Sequence, residues 1–191
     1  MKLVPDLIDA WYTHGFFFSI CNASFRDDAS IQFWMWLFTW SKVVELIDTL
    51  FVVLRKQKFI HLHWIHHALT VIYLFIAFAD SPAYCRPLIP INFVIHFFMY
   101  SYYALRASGI RTPKICSIAI TSSQIVQMVF DLLVTLTASF YFITGNRCDL
   151  TAKSALISLF SLSVFLILFL NFFYHSYFKE NSKVASRQKA D

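Results

Sequence analysis

His61-Leu-His-Trp-Ile-His-His67-Ala-Leu-Thr-Val-Ile-Tyr-Leu-Phe-Ile-Ala-Phe78 joins a cluster of imidazoles to an uninterrupted apolar run. The stretch holds four of the seven histidines in the chain. His63, His66 and His67 stand at i, i+3 and i+4, so on a helix they share one face. The run that follows is apolar enough to enter a bilayer. Ionisable groups inside a membrane span are costly, and by default they mark a function. Three readings stay open on these residues alone: a structural or pH-sensing cluster, an imidazole catalyst, and a metal site.

Composition supports the bilayer. The chain has 191 residues and is 58% hydrophobic, 19% aromatic and only 14% charged, with a mean hydropathy of +0.59. A soluble domain is about 25% charged. These values, with 22 Phe, define an all-α polytopic membrane protein. The net charge of +5 is spread over short loops and a tail, which is a topology signal and excludes a nucleic-acid partner. The four cysteines have no metal-ligand spacing. No cleavable secretory signal is evident.

Five stretches are long enough to span: 31–54, 59–78, 88–107, 116–144 and 154–178. Residues 1–30 read as an N-terminal remnant and a loop, because Asp9, His14 and Gly15 interrupt the apolar stretch from Leu7 to Cys21. Residues 31–178 form the membrane domain, and 179–191 form a basic tail that is expected to be disordered. Arg55, Lys56 and Lys58 follow the first span, and Arg106, Arg111 and Lys114 lie between the third and fourth. With the tail, these segments alternate onto one side, so the C-terminus is expected in the cytosol and the N-terminus in the lumen. Cys21, Cys85 and Cys148 then lie near lumenal loops, where disulfides form. Asn22-Ala-Ser24 is a glycosylation sequon on that side.

The polar residues inside the spans converge on one depth. The first span carries Lys42, Glu45 and Asp48, the third Asn92, His96, Tyr100 and Tyr103, and the fourth Thr121, Gln124 and Gln127. The fifth ends with Asn171, Tyr174 and His175; the last is read as interfacial. Counted from the nearest cytosolic charge, His66 lies about 12 Å deep, His96 and Gln124 about 15 Å, and Lys42 and Gln127 about 20 Å. Chance would spread such groups through both leaflets. The pattern implies one buried polar site, open to the cytosol, at the mouth of an apolar tunnel shaped for a polar head and a long greasy tail. Asp131 falls beyond that depth, and the pattern does not account for it.

Four motifs, in order on four successive spans, resemble those of the ELO family of very-long-chain fatty acid elongases. They are Lys42-Val-Val-Glu45-Leu-Ile-Asp48-Thr49, His63-Trp-Ile-His-His67, Asn92-Phe-Val-Ile-His96-Phe-Phe-Met99-Tyr-Ser-Tyr-Tyr103, and Thr121-Ser-Ser-Gln124-Ile-Val-Gln127. Tyr102-Tyr-Ala-Leu-Arg-Ala107 looks most like the branch acting on saturated and monounsaturated chains. The resemblance implies condensation of an acyl-CoA with malonyl-CoA to a 3-oxoacyl-CoA, CO2 and CoA, with no cofactor and no metal. It implies an acyl-imidazole on His66, with His63, His67 and His96 as catalytic companions. It places Lys42, Glu45, Asp48, Asn92, Tyr100, Tyr103, Gln124 and Gln127 around the substrates. Of these, the three charged residues are read as a network holding the histidine helix. Arg55, Lys56 and Lys58 stand where CoA phosphates would arrive.

The resemblance further implies a disulfide between Cys21 and Cys148, residence in the endoplasmic reticulum membrane, and contact with lipid and with other enzymes of the elongation cycle; a homodimer is a further expected assembly. Family members have seven spans around the tunnel. This chain is expected to lack the first and most of the second. Two rivals follow: an inactive partner in an elongation complex, and an iron-dependent desaturase, which needs several histidine boxes where this chain has one.

Overall fold

In the computed structural model the described residues are 2–54 and 61–179, with side chains described for 2–47 and 64–179. The side chains of Asp48 and His63, all of Arg55, Lys56 and Lys58, and the tail from residue 180 lie outside the described residues.

Five long helices follow the five apolar runs: α3 (Ala29–Leu54), α4 (His61–Asp80), α5 (Cys85–Ala107), α6 (Lys114–Ile143) and α7 (Ala152–Phe173). Before them, α1 (Leu3–Asp9) and α2 (Gly15–Cys21) are joined by a π-helical turn at Ala10–His14. Residues 3–21, within the stretch read as an N-terminal remnant, are thus helical throughout. Asp9, which interrupts the apolar stretch, accepts the Thr13 hydroxyl at 3.2 Å, and Asp6 just before it pairs with Arg86 at 3.0 Å. A partner so distant in sequence is invisible to a hydropathy window.

Local chemistry sets the helix ends. Asp28 precedes α3, and its carboxylate accepts the Ser30 and Ile31 amides at 2.8 and 3.3 Å, satisfying donors a helix start leaves open. Those two amides hold the Asp28 carboxyl below its ordinary range. Thr151 and Ser154 close a capping box at the start of α7. Helices α5 and α6 end on Gly109 and Gly145, both at a φ of 81°. There the Ile110 amide reaches the Leu105 carbonyl and the Asn146 amide reaches that of Tyr141. This closing bond needs a left-handed residue, which glycine adopts without a Cβ penalty.

Neighbours run α3–α4–α7–α6–α5, with a narrower contact from α5 back to α3, and α1 and α2 lie against α5. The result is a ring of helices with its cavities on the inside. Helices α5 and α6, and α7 with its π-helical extension to Lys179, are long and apolar enough to cross a membrane; in α4 the described apolar stretch is Trp64–Asp80. α3 has the length but carries Lys42, Glu45 and Asp48. Large apolar side chains such as Phe97, Leu156, Phe160 and Ile167 are exposed on the outside of the ring. Such a surface suits lipid, not water.

The far end of the ring from the histidines is knitted together. Cys21 and Cys148 form a disulfide. Beside it the Asp149 amide donates to the Cys21 carbonyl and its carboxylate accepts the Ala23 amide, both at 2.9 Å. Arg86 is buried, stacked over Phe18 and Phe25, and donates to the Ser24 hydroxyl at 2.9 Å. Ile20, Phe25, Met35, Tyr84 and Val134 pack between these polar ties. Ser24 of the sequon is therefore engaged, and Asn22 accepts the Ser24 amide.

Candidate active site

Two cavities meet at one histidine. The outer, about 250 Å³, opens where α5 ends and α6 begins, and its wall includes His66, His67, His96, Tyr100, Tyr103 and Gln124. The inner, about 50 Å³, lies deeper in the ring among Phe38, Leu88, Ile89, Leu162 and Phe165. His66 lines both. It is 8% exposed, with its ring edge-on to Phe165 and Phe169 at centroid distances of 4.6 and 5.5 Å and His67 at 5.7 Å.

The charged residues of α3 hold two histidines in opposite tautomers. Lys42 is buried and pairs with Glu45 at 2.7 Å, one helical turn along. It also reaches Nδ1 of His96 at 3.0 Å. An ammonium only donates, so His96 accepts at Nδ1 and carries its proton on Nε2. The Glu45 carboxylate lies 3.6 Å from the same nitrogen. Nδ1 of His67 lies 3.0 Å from the Glu45 main-chain carbonyl. A carbonyl only accepts, so His67 donates at Nδ1 and carries its lone pair on Nε2. One imidazole therefore presents a proton and the other a base. The Lys42, Glu45 and Asp48 set was expected to hold the histidine helix; among the described residues the Lys42–Glu45 side chains meet His96 on α5, and the Glu45 carbonyl meets His67 on α4.

The remaining predicted residues divide between the chambers. Tyr100 stands 6.0 Å from the His96 ring and 6.2 Å from Tyr103. Gln124 donates to the Met99 sulfur at 3.2 Å and lines the outer chamber. Asn92 and Gln127 line the inner one instead. Gln127 donates to Asp131 at 3.0 Å, so the acid that the sequence pattern left unexplained is part of the inner wall. The deeper half is thus not purely apolar: Thr70, Asn92, Gln127 and Asp131 all face one small cavity. Helical spacing would have shown that Gln127 and Asp131, four residues apart, share a face.

Tyr177 was not anticipated. It lines the outer chamber from the π-helical turn Tyr174–Lys179 and meets the Thr121 hydroxyl at 3.3 Å. A π turn shifts the register, so an α-helical period does not point to it. His175 is exposed on the same turn. Among the described residues, no group of three or more His, Cys, Asp or Glu side chains is arranged to hold a metal ion.

Fold and site together define a multi-pass helical membrane protein with a histidine-lined cavity open at one end of the helix ring. A model of the family described as "ELO: GNS1/SUR4 family" matches residues 1–185. The chain is 36% identical over 191 residues to a putative fatty acid elongase 3 of Caenorhabditis elegans, covering 99% of this chain and 59% of that one. It is 35% identical over 192 residues to very long chain fatty acid elongase 6 of Drosophila melanogaster, covering 99% and 61%. With long chain fatty acid elongase 1 of Caenorhabditis elegans the identity is 38% over 184 residues, covering 96% and 64%. The chain spans about three fifths of the length of these curated relatives. No solved structure matches it. The chain belongs to the ELO (GNS1/SUR4) family.

Proposed function

We propose that this protein is a 3-oxoacyl-CoA synthase that extends long-chain acyl-CoA by two carbons, with His66 as the acyl carrier. The observation that carries the reading is the position of His66 on the wall shared by the two cavities. An acyl chain whose first carbons enter the inner chamber, with its CoA arm leaving by the outer one, brings its thioester to that imidazole. The relatives' names, which are those of fatty acid elongases, support the same class of reaction.

The chemistry runs in two halves. A His66 ring nitrogen attacks the thioester carbonyl, the C–S bond breaks, and the CoA thiolate leaves. The acylated ring gives up its remaining N–H proton, which ends on CoA as the thiol. Malonyl-CoA then loses CO2, and the resulting enolate attacks the acyl-imidazole carbonyl. The C–N bond breaks, the departing imidazolate takes up a proton from water at the open mouth of the cavity, and 3-oxoacyl-CoA is released with neutral His66 regenerated. The Nε2 proton of His96 suits an oxyanion at that carbonyl. The Nε2 lone pair of His67 suits the proton that passes between imidazole and thiolate. The substrates bring all the reacting groups, and no cofactor is invoked. Residues Arg106 and Lys114 flank the cavity mouth at the ends of α5 and α6 and suit the CoA phosphates. The reading extends to an endoplasmic reticulum location with a cytosolic C-terminus, and to partners drawn from the elongation cycle.

The test incubates the full chain, in detergent micelles, with labelled malonyl-CoA and a saturated acyl-CoA. Label in a 3-oxoacyl-CoA supports the reading. Its absence, with both substrates shown to bind, favours an inactive partner of active elongases.

A further inference from the structure

The inner cavity holds more hydrogen-bonding capacity than an alkyl chain uses. Asp131 is 3% exposed. Among the described residues, one of its oxygens accepts from Gln127 and the other has no partner. The Thr70 hydroxyl and the Asn92 carbonyl oxygen are likewise buried without a partner among the described residues. All three residues line the same cavity, on three different helices. Among the described residues only a few other side-chain atoms share this condition. A buried polar group without a hydrogen bond is costly. Three around one chamber imply an occupant that satisfies them.

Their chemistry restricts that occupant. Asn92 offers an acceptor there, Asp131 as a neutral carboxylic acid offers a donor, and Thr70 can donate or accept, so one hydroxyl accepts from Asp131 and Thr70 and donates to Asn92. A ketone, which only accepts, would leave the Asn92 oxygen unserved. A hydroxyl both donates and accepts. The remainder of the wall, with Phe38, Leu74, Leu88, Ile89, Leu162 and Phe165, is apolar and suits methylene groups. Thr70 lies one helical turn beyond His66, about 6 Å along α4, so the polar cluster lies a short stretch of chain beyond the reacting carbonyl.

We propose that the inner cavity selects acyl chains carrying a hydroxyl group on the tail, held by Asp131, Thr70 and Asn92. The inference rests on the acyl-CoA reading of the site and deepens it. A site built to bond a substrate hydroxyl discriminates against the chain that lacks it, because its own polar groups are then left unpaired. The wild-type preference for one hydroxyl position over the plain chain is expected to be about ten- to a hundred-fold.

The test measures binding and turnover separately on the full chain. Non-hydrolysable thioether analogues of a saturated acyl-CoA, and of the same chain hydroxylated at successive carbons, are titrated calorimetrically. The corresponding thioesters are then competed for turnover with malonyl-CoA. One regioisomer is expected to bind at least tenfold tighter than the parent. Asp131→Leu and Thr70→Val should erase that difference, with the parent chain bound more tightly than by wild type, and Asp131→Asn, which keeps a hydrogen-bond donor, should retain most of it. Equal or weaker binding of every hydroxy analogue overturns the inference and leaves a bound water as the occupant, for which the chamber has room. Selective binding without turnover keeps the inference and overturns the enzyme reading. Turnover without selectivity does the reverse.

Discussion

Lys42 is 3% exposed, and its ammonium touches both Glu45 and His96. Replacing it by Met takes the ammonium away from the half-buried Glu45 carboxylate and removes the donor that fixes the His96 tautomer. Breaking a fully buried pair from one side costs about 3–5 kcal/mol, and a half-buried one costs less. Thermal unfolding in detergent should show Lys42→Met strongly destabilised, and Lys42→Met with Glu45→Gln largely restored. Equal midpoints for wild type and Lys42→Met would remove the pair from the account of the fold. At His96 the tautomer itself is testable. Gln places an N–H near the position of Nε2, and Asn places its amide near Nδ1. Activity should survive better in His96→Gln than in His96→Asn, whose loss should approach the roughly 10²–10³-fold of a missing oxyanion donor. Equal loss in both would argue that His96 does not donate from Nε2. Residues of this kind were legible in the sequence because charges and imidazoles inside apolar runs stand out. Thr70 and Tyr177 were not, since a lone hydroxyl on a helix is as often bonded to its own backbone.

At the scale of elements, the five long helices follow from apolar runs bounded by glycines, caps and basic loops. The N-terminal helices did not, because Asp9, His14 and Gly15 interrupt the run and the Arg86 that pairs with Asp6 stands on α5. What closes this end is covalent as well as polar. The Cys21–Cys148 bond spans 127 residues. Paired Ser substitutions should lower stability by about 2–4 kcal/mol, less than the unfolded-chain limit because helices persist in a membrane-like solvent. Comparing reduced and oxidised wild type by thermal unfolding checks this, and an unchanged midpoint would contradict it. The start of α3 should respond to acid. The folded Asp28 carboxyl is below its ordinary range, so its capping contribution is present above the ordinary carboxylate pKa and lost as pH falls through the lowered one. Asp28→Asn keeps a capping oxygen and should flatten that acid limb in a stability–pH profile.

For the whole molecule, the ring of helices brings groups from α4, α5 and α6 around two adjoining cavities, with Lys42 of α3 against His96, where the count from the basic loops implied a single site. That count could not separate the two chambers. Gln124 and Gln127 share a helix face one turn apart, about 5 Å in depth, a step too small in such a count to mark the boundary between the two cavities they line. The central claim is that the imidazole between those cavities carries the acyl group. It is tested most directly by peptide mass spectrometry after incubating the full chain with a saturated acyl-CoA and no malonyl-CoA. The expected result is an acyl increment on the peptide containing His66, discharged when malonyl-CoA is added and absent in His66→Ala. Formation of 3-oxoacyl-CoA by a His66→Ala protein, or an adduct that malonyl-CoA does not discharge, would contradict it.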